Sequence, residues 1–307
     1  MASDHESDAG SVGGALGFLD GFATSSDDED SAAAAPPRAA APPPPPPPPP
    51  PTPAALTPPY RATMGCVYDS AFLAAVASTF TPHFGAENFA QSLYTHARFL
   101  KPAVVVEVGA GYSTPWLLAA LNDNELELAA TRARLGTTDP RYSVAAATAA
   151  RDTMLYSVDN REHEHEMCTE VELLAERLGL SAHYRSVVGD VFDAAVHGSI
   201  AGGGEQIDLI VADFGAADRL QKFWDCWWPR LRPLGTLVVH STVTNHLSRM
   251  WLEGRRALVR SGEADFECLS LLEPHKRLQN SFTIFQKRSG AVDGMEFPGE
   301  PIFTRHP

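Results

Sequence analysis

The residues able to do chemistry in this chain stand at the ends of apolar runs. In "VVVEVGAGYST", residues 104–114, a β-branched run stops at Glu107 and breaks into Gly109 and Gly111, followed by Ser113 and Thr114. "LYSVDN" ends in Asp159, "VVGDVFD" carries Asp190, "IDLIVADFG" carries Asp213 and "LRPLGTLVVHS" carries His240. Two glycines one residue apart let the backbone turn sharply and lie against a ligand with no Cβ in the way. A dinucleotide loop would have a third glycine where Thr114 stands and wants no acid before the first, because its ligand is a pyrophosphate. A carboxylate at Glu107 suits a cationic group instead, which ranks a nicotinamide oxidoreductase last. His240 has the intrinsic pKa of a general base, and Asp213 could orient it.

The elements that must position these residues alternate. Apolar runs at 103–108, 155–158, 184–188, 207–212 and 236–240 read as strands, and 164–178 and 216–228 read as helices between them. Strands alternating with helices imply a parallel sheet covered on both faces. After the fifth strand a helix over 247–259 precedes runs at 266–272 and 281–286, whose link is too short for a parallel crossover. They should pair antiparallel at one edge. The expected fold class is therefore α/β: a Rossmann-like, doubly wound, mostly parallel seven-stranded sheet with an antiparallel C-terminal strand pair and helices on both faces. In such sheets ligands bind outside the carboxyl ends of the strands, where the strand order reverses.

Composition divides the chain. The first 60 residues hold eight acids against Arg38 and end in the proline tract 42–51, so they cannot bury enough apolar surface to offset chain entropy. Residues 1–59 read as a disordered acidic and Pro-rich tail, 60–288 as the folded domain and 289–307 as an extended C-terminal arm. Residues 123–151 are Ala-rich and helix-capable, and read as an insertion between the first helix and the second strand. The tail carries half of the formal charge of −14. With no long basic block in the remainder, nucleic acid is not expected as a main partner. Cys66, Cys168, Cys226 and Cys268 are far apart, form no CxxC pair and read as reduced thiols of a cytoplasmic or nuclear protein. No apolar run approaches the roughly 18–20 residues that span a bilayer, so no membrane partner is expected.

Five signposts in order resemble those of class I S-adenosylmethionine-dependent methyltransferases: "EVGAGYST", "LYSVDN", "VVGDVFD", "IDLIVADFG" and the turn of "LRPLG" before the fifth strand. The resemblance covers roughly residues 85–288. It implies S-adenosylmethionine as cofactor, with Glu107 near its cationic end and the loop Gly109, Gly111 and Ser113 beneath it. It places Asp159 on the ribose hydroxyls, Asp190 at the adenine amino group and Asp213 at the end of the fourth strand. Ser113 stands where the family's third glycine is usual. The separation of Glu107 from Asp159 also exceeds the family's, which is why 123–151 is read as an insertion.

Methyl transfer is an in-line displacement, so the protein mainly holds a nucleophile opposite sulfur and excludes water. Asp213 and His240 are the expected catalytic pair for a hydroxyl. A metal-assisted catechol-type site would need oxygen ligands after the fifth strand, where His240-Ser241-Thr242 stands, so no metal is expected. The N-P-P-Y pattern of amide and nucleobase methylation is replaced by Asp213-Phe214-Gly215. The expected activity is transfer to a hydroxyl of a small molecule; a protein methyltransferase and a non-catalytic scaffold acting through its tail are the alternatives.

Other motifs read more plainly. "REHEHEMC", with His163 and His165, reads as a solvated helix start rather than a zinc site. "KFWDCWWPR" pairs Phe223 with Trp227 and Trp224 with Trp228 as core. His275-Lys276-Arg277 reads as an exposed hairpin turn. In the tail, Leu16, Phe18, Leu19 and Phe22 offer anchors to a protein partner's groove, Ser25 and Ser26 precede acids that a kinase could use, and the proline tract reads as a spacer.

Overall fold

The computed structural model describes residues 62–135, 153–200 and 206–288, apart from 83 and 216. The tail, the C-terminal arm and the second half of the expected insertion lie outside them. Seven strands among the described residues form one sheet: β1 (Val104–Val108), β2 (Met154–Asp159), β3 (Tyr184–Val188), β4 (Ile207–Ala212), β5 (Leu231–His240), β6 (Phe266–Leu272) and β7 (Ser281–Lys287). Their order is β3-β2-β1-β4-β5-β7-β6. The first five are parallel, β7 runs antiparallel to β5, and β6 pairs antiparallel with β7 at the edge. Strand order reverses between β1 and β4, so the carboxyl ends of these two strands part and leave a crevice.

β1 is buried along its whole length, as a central parallel strand must be. Its side chains alternate: Val105 faces one core with Leu155, Leu209 and Val238, while Val104, Val106 and Val108 face the other. The first core is roofed by α1 (Ser70–Val76), α2 (Ala86–Leu100), α3 (Ser113–Leu135) and α4 (Cys168–Arg177). The second is roofed by α5 (Ala194–Ser199), α6 (Leu220–Trp227) and α7 (His246–Ser261). The tryptophan stripe belongs to this second core. Trp224 and Trp228 stack at 4.1 Å, and Trp227 is fully buried with its indole Nε1 donating to the Val191 carbonyl at 3.1 Å. Trp227→Ala empties this space and orphans that carbonyl, and a loss of about 3–5 kcal/mol in chemical denaturation is expected.

Four sequence expectations are refined. The fifth strand begins at Leu231 rather than 236: Leu231 pairs with Ile207, and pairing with β4 shifts before it resumes at Thr236. Leu234 at φ 64 and Gly235 lie in this irregular stretch of the strand. The helix expected from 216 begins at Leu220, because residues 213–215 and 217–219 are used as a loop at the strand end. The first part of the 123–151 segment continues α3 to Leu135. There Asp123 and Asn124 are buried against α2, Asp123 accepting from Tyr94 Oη at 2.7 Å and from the Gly65 amide at 2.9 Å, and Asn124 donating to the Ala97 carbonyl at 2.9 Å. In the basic turn His275 and Arg277 are exposed as expected, while Lys276 is held between Glu87 at 2.7 Å and Glu273 at 2.8 Å.

Among the described residues no helix is long and apolar enough to cross a membrane.

Candidate active site

The crevice at the carboxyl ends of β1, β2, β3 and β4 has a volume of about 650 Å³, within the range of small-molecule sites. Its floor is the loop after β1. Gly109 sits at φ 93, where a Cβ would lie 2.6 Å from the Asp213 carbonyl oxygen, so only glycine lets the loop pass β4. Gly111 differs: a Cβ there would meet nothing within 4 Å, in open space on the crevice wall. The loop is held from within, the Gly111 amide donating to Thr114 Oγ1 at 3.0 Å and the Ala110 amide to Asp159 Oδ2 at 3.2 Å. Gly111→Ala therefore leaves the thermal midpoint of the ligand-free protein unchanged while weakening S-adenosylhomocysteine by about tenfold or more, read by thermal melts and calorimetry.

Glu107 is fully buried beneath this loop and does not line the crevice. Its Oε1 accepts from Ser113 Oγ at 2.6 Å, and Oε2 has no partner. Burial pushes its pKa up from the usual 4.5 to about 8, against the pull of the Ser113 and Thr114 hydroxyls. Glu107 thus stands one layer behind Ser113, which itself lines the crevice.

Asp159 and Asp190 stand on the wall, at the ends of β2 and β3. Asp159 braces its surroundings, with Oδ1 accepting from the Arg161 amide at 2.7 Å, yet a carboxylate offers about four lone-pair sites and two remain. Asp190 Oδ1 accepts from the Phe192 amide at 2.9 Å. "REHEHEMC" departs from its expected place. Residues 161–167 are a turn rather than a helix start, with Arg161 at φ 58. Glu166 Oε1 accepts from the Cys168 amide at 2.8 Å, so the helix begins only at Cys168. The turn lines the crevice, and His163 and His165 meet Phe84 from the opposite wall with ring centroids 6.0 Å and 5.4 Å apart. No group of three or more His, Cys, Asp or Glu able to hold a metal ion occurs among the described residues.

Asp213 and His240 come together. The ends of β4 and β5 are adjacent in register, and His240 Nδ1 lies 2.9 Å from Asp213 Oδ1. The imidazole stacks on Phe89 at 4.4 Å, with only 2% of its side chain exposed. Burial favours neutral imidazole, but the Asp213 charge and hydrogen bond outweigh it and the pKa is raised above the usual 6.5. With its Nδ1–H given to Asp213, the basic nitrogen is Nε2. The pair joins the crevice to a second cavity of about 150 Å³: Asp213 lines both, and His240 lines the smaller.

The sequence reading missed the opposite rim. Gln279, in the link between β6 and β7, lines both cavities, and Phe84 and Arg219 line the large one. Gly85 was the available signal: at φ 72, a Cβ there would lie 2.3 Å from Gln279 Cβ.

A reversed-order parallel sheet with an antiparallel terminal pair, a glycine loop after β1 and acids ending β2, β3 and β4 define the class I methyltransferase architecture. Residues 106–242 match a family described as a methyltransferase domain. A solved Klebsiella pneumoniae protein assigned as an O-methyltransferase is similar, with 16% identity over 71% of this chain and 88% of that one and a TM-score of 0.50. The O-methyltransferase TomG from Streptomyces achromogenes, involved in tomaymycin synthesis, is 16% identical over 70% and 90% of the two chains, with a TM-score of 0.48. An O-methyltransferase from Bacillus cereus is 14% identical over 70% and 88%, with a TM-score of 0.49. No curated protein matches the sequence. Over residues 106–242 the chain is similar to methyltransferase domains, and its fold is the Rossmann-like one of class I methyltransferases.

Proposed function

We propose that the protein transfers the methyl group of S-adenosylmethionine to a hydroxyl of a small molecule. The observation that carries this reading is the Asp213–His240 pair, 2.9 Å apart, at the junction of a large crevice and a small cavity. The residues present fit the cofactor. Gly111 leaves open space on the wall, Asp159 keeps acceptor capacity for paired hydroxyls, and Glu107 holds an unpartnered carboxylate oxygen behind the loop. Five carboxylates (Asp159, Glu162, Glu166, Asp190 and Asp213) line the crevice against Arg219, the one Lys or Arg among its described wall residues, which suits a ligand of net positive charge.

When bound, the cofactor supplies an electrophilic methyl group whose sulfur takes back the bonding electron pair as the new oxygen–carbon bond forms. The chain's own part is to place the acceptor and move one proton. His240 takes the hydroxyl proton at Nε2 and becomes imidazolium, and Asp213 stabilises that charge through Nδ1–H. Phe89 fixes the plane of the ring. Domain limits follow the same reading: 60–288 as the methyltransferase domain, with the tail outside it.

The test is calorimetric titration of the full chain with S-adenosylmethionine and S-adenosylhomocysteine, with NADH as control, followed by labelled-methyl transfer to a panel of hydroxyl and amine compounds. Micromolar binding of the first two, none of NADH and label in base-stable ethers are expected. A folded sample that binds neither sulfur compound overturns the reading, and label confined to amines overturns the hydroxyl assignment.

A further inference from the structure

Gln279 is held in place more elaborately than a hairpin link requires. It sits at φ 50, and its contact across the cavity, Ser241, sits at φ 56, a backbone region that L side chains rarely adopt. Two such residues touching one another beside a site are an arrangement that the surrounding structure must over-determine. It does. Ser241 Oγ donates to Gln279 Oε1, and the Ser241 amide donates to the Ser281 carbonyl at 2.6 Å. Next to Gln279, Asn280 Oδ1 accepts from Thr244 Oγ1 at 2.8 Å and Asn280 Nδ2 donates to the Lys276 carbonyl at 3.1 Å. Lys276 is clamped to Glu87 on α2, and Asn88 of α2 donates to Glu273 at 2.6 Å. On the far side Gly85 admits the Gln279 backbone where any side chain would collide. Three separate segments thus converge on the link that carries Gln279 into the wall shared by both cavities, and Ser241 holds its amide.

With Oε1 accepting from Ser241, the amide still has its two N–H donors to offer, beside one remaining oxygen lone pair. The smaller cavity, at about 150 Å³, is the size that takes a single benzene ring. Its lining includes the polar His240, Ser241, Asn245 and Ser248 and the apolar Phe214, Leu220 and Val239. A ring entering it would find both apolar carbon and polar partners for its oxygens.

We propose that this cavity is the acceptor site and that Gln279 selects what enters it: a single ring bearing two oxygen functions, one facing His240 for methylation and the other accepting from the Gln279 amide. This rests on the hydroxyl-transfer reading above. A one-oxygen ring would leave the amide's donors without that acceptor, and a site built to hydrogen-bond a second oxygen discriminates against its absence.

The test measures binding, so it needs no turnover. The full chain is saturated with S-adenosylhomocysteine and titrated with phenol, catechol and resorcinol, for the native chain and for Gln279→Glu, which keeps the size and carries no N–H donor. At least one diol should bind the native complex about tenfold or more tighter than phenol, and the gap should shrink to about twofold or less in Gln279→Glu. Gly85→Ala, whose Cβ would meet Gln279 Cβ and the Gln279 carbonyl oxygen and so displace the residue, should narrow the gap in the same way. Equal affinities for phenol and both diols, or a gap that persists in Gln279→Glu, overturns the selection by Gln279. No binding of any ring to the loaded protein overturns the cavity as acceptor site. Failure of S-adenosylhomocysteine to bind is a separate result that removes the underlying reading itself.

Discussion

His240→Ala lowers methyl transfer by about 10²- to 10⁴-fold while changing the affinity for S-adenosylhomocysteine by about twofold or less. The split follows from position. The imidazole lies beside the smaller cavity, not on the wall of the crevice, so its removal takes away the proposed proton acceptor and leaves the crevice wall in place. A companion result concerns pH. Burial alone would depress the His240 pKa, and the Asp213 carboxylate reverses the sign to a net increase above 6.5. Protonated His240 cannot accept a proton, so kcat/KM rises with pH along a limb displaced above 6.5. In Asp213→Asn the charge is gone and burial remains, so the limb moves to lower pH as the maximal rate falls. The same pair is linked to stability. A histidine whose folded pKa is raised contributes stability that is fully present below the unfolded value and is lost as pH rises through the folded one. Rate profiles and thermal melts of the two variants check both signs, and an unmoved limb in Asp213→Asn would exclude His240 as the titrating base.

Glu107→Gln raises the thermal midpoint of the ligand-free protein by several degrees at pH 8–9 and leaves it nearly unchanged near pH 4.5. Burial places the folded pKa of Glu107 at about 8, against the usual 4.5, so between these values the folded chain holds a proton that the unfolded chain has released. Stability therefore falls as pH rises through that window, and the full cost of a buried carboxylate is present only above it. Glutamine carries no such charge and keeps an oxygen to accept from Ser113. The same chemistry predicts proton release on binding. A cationic ligand seated over the loop stabilises the ionised carboxylate behind Ser113, so S-adenosylmethionine binding at pH 7 releases a proton from the native chain and none from Glu107→Gln. Calorimetry in buffers of different ionisation enthalpy measures this directly; equal proton release by both chains would show that the proton comes from elsewhere.

Much of this was legible in the chain itself, for a local reason. A strand in a parallel sheet is a short apolar run that ends where polar residues or glycine begin. The same end is where a ligand sits, so the strand boundaries and the residues Gly109, Gly111, Asp159, Asp190 and Asp213 were read together. The tryptophan stripe was equally plain, because a spacing of four on a helix puts Phe223 with Trp227 and Trp224 with Trp228 whatever lies opposite. Local chemistry also misled. "REHEHEMC" has the charge pattern of a helix start, yet the Glu166 carboxylate caps the Cys168 amide and turns the preceding residues into a wall of the crevice.

What the sequence determined alone was the α/β order and the acids at strand ends, since these depend on periodicity and on neighbours a few residues away. The tertiary structure decided three further things. It set Glu107 behind the loop rather than on the wall, because a side chain's depth depends on what α3 lays over it. It brought His240 within 2.9 Å of Asp213 and under Phe89, contacts between residues 27 apart and farther. It also carried Gln279 from the far end of the sheet to the rim of both cavities, which only the insertion of β7 between β5 and β6 makes sterically available. Pairing of distant strands has no short-range signature, so residues that reach a site by that route are found only once the sheet is closed.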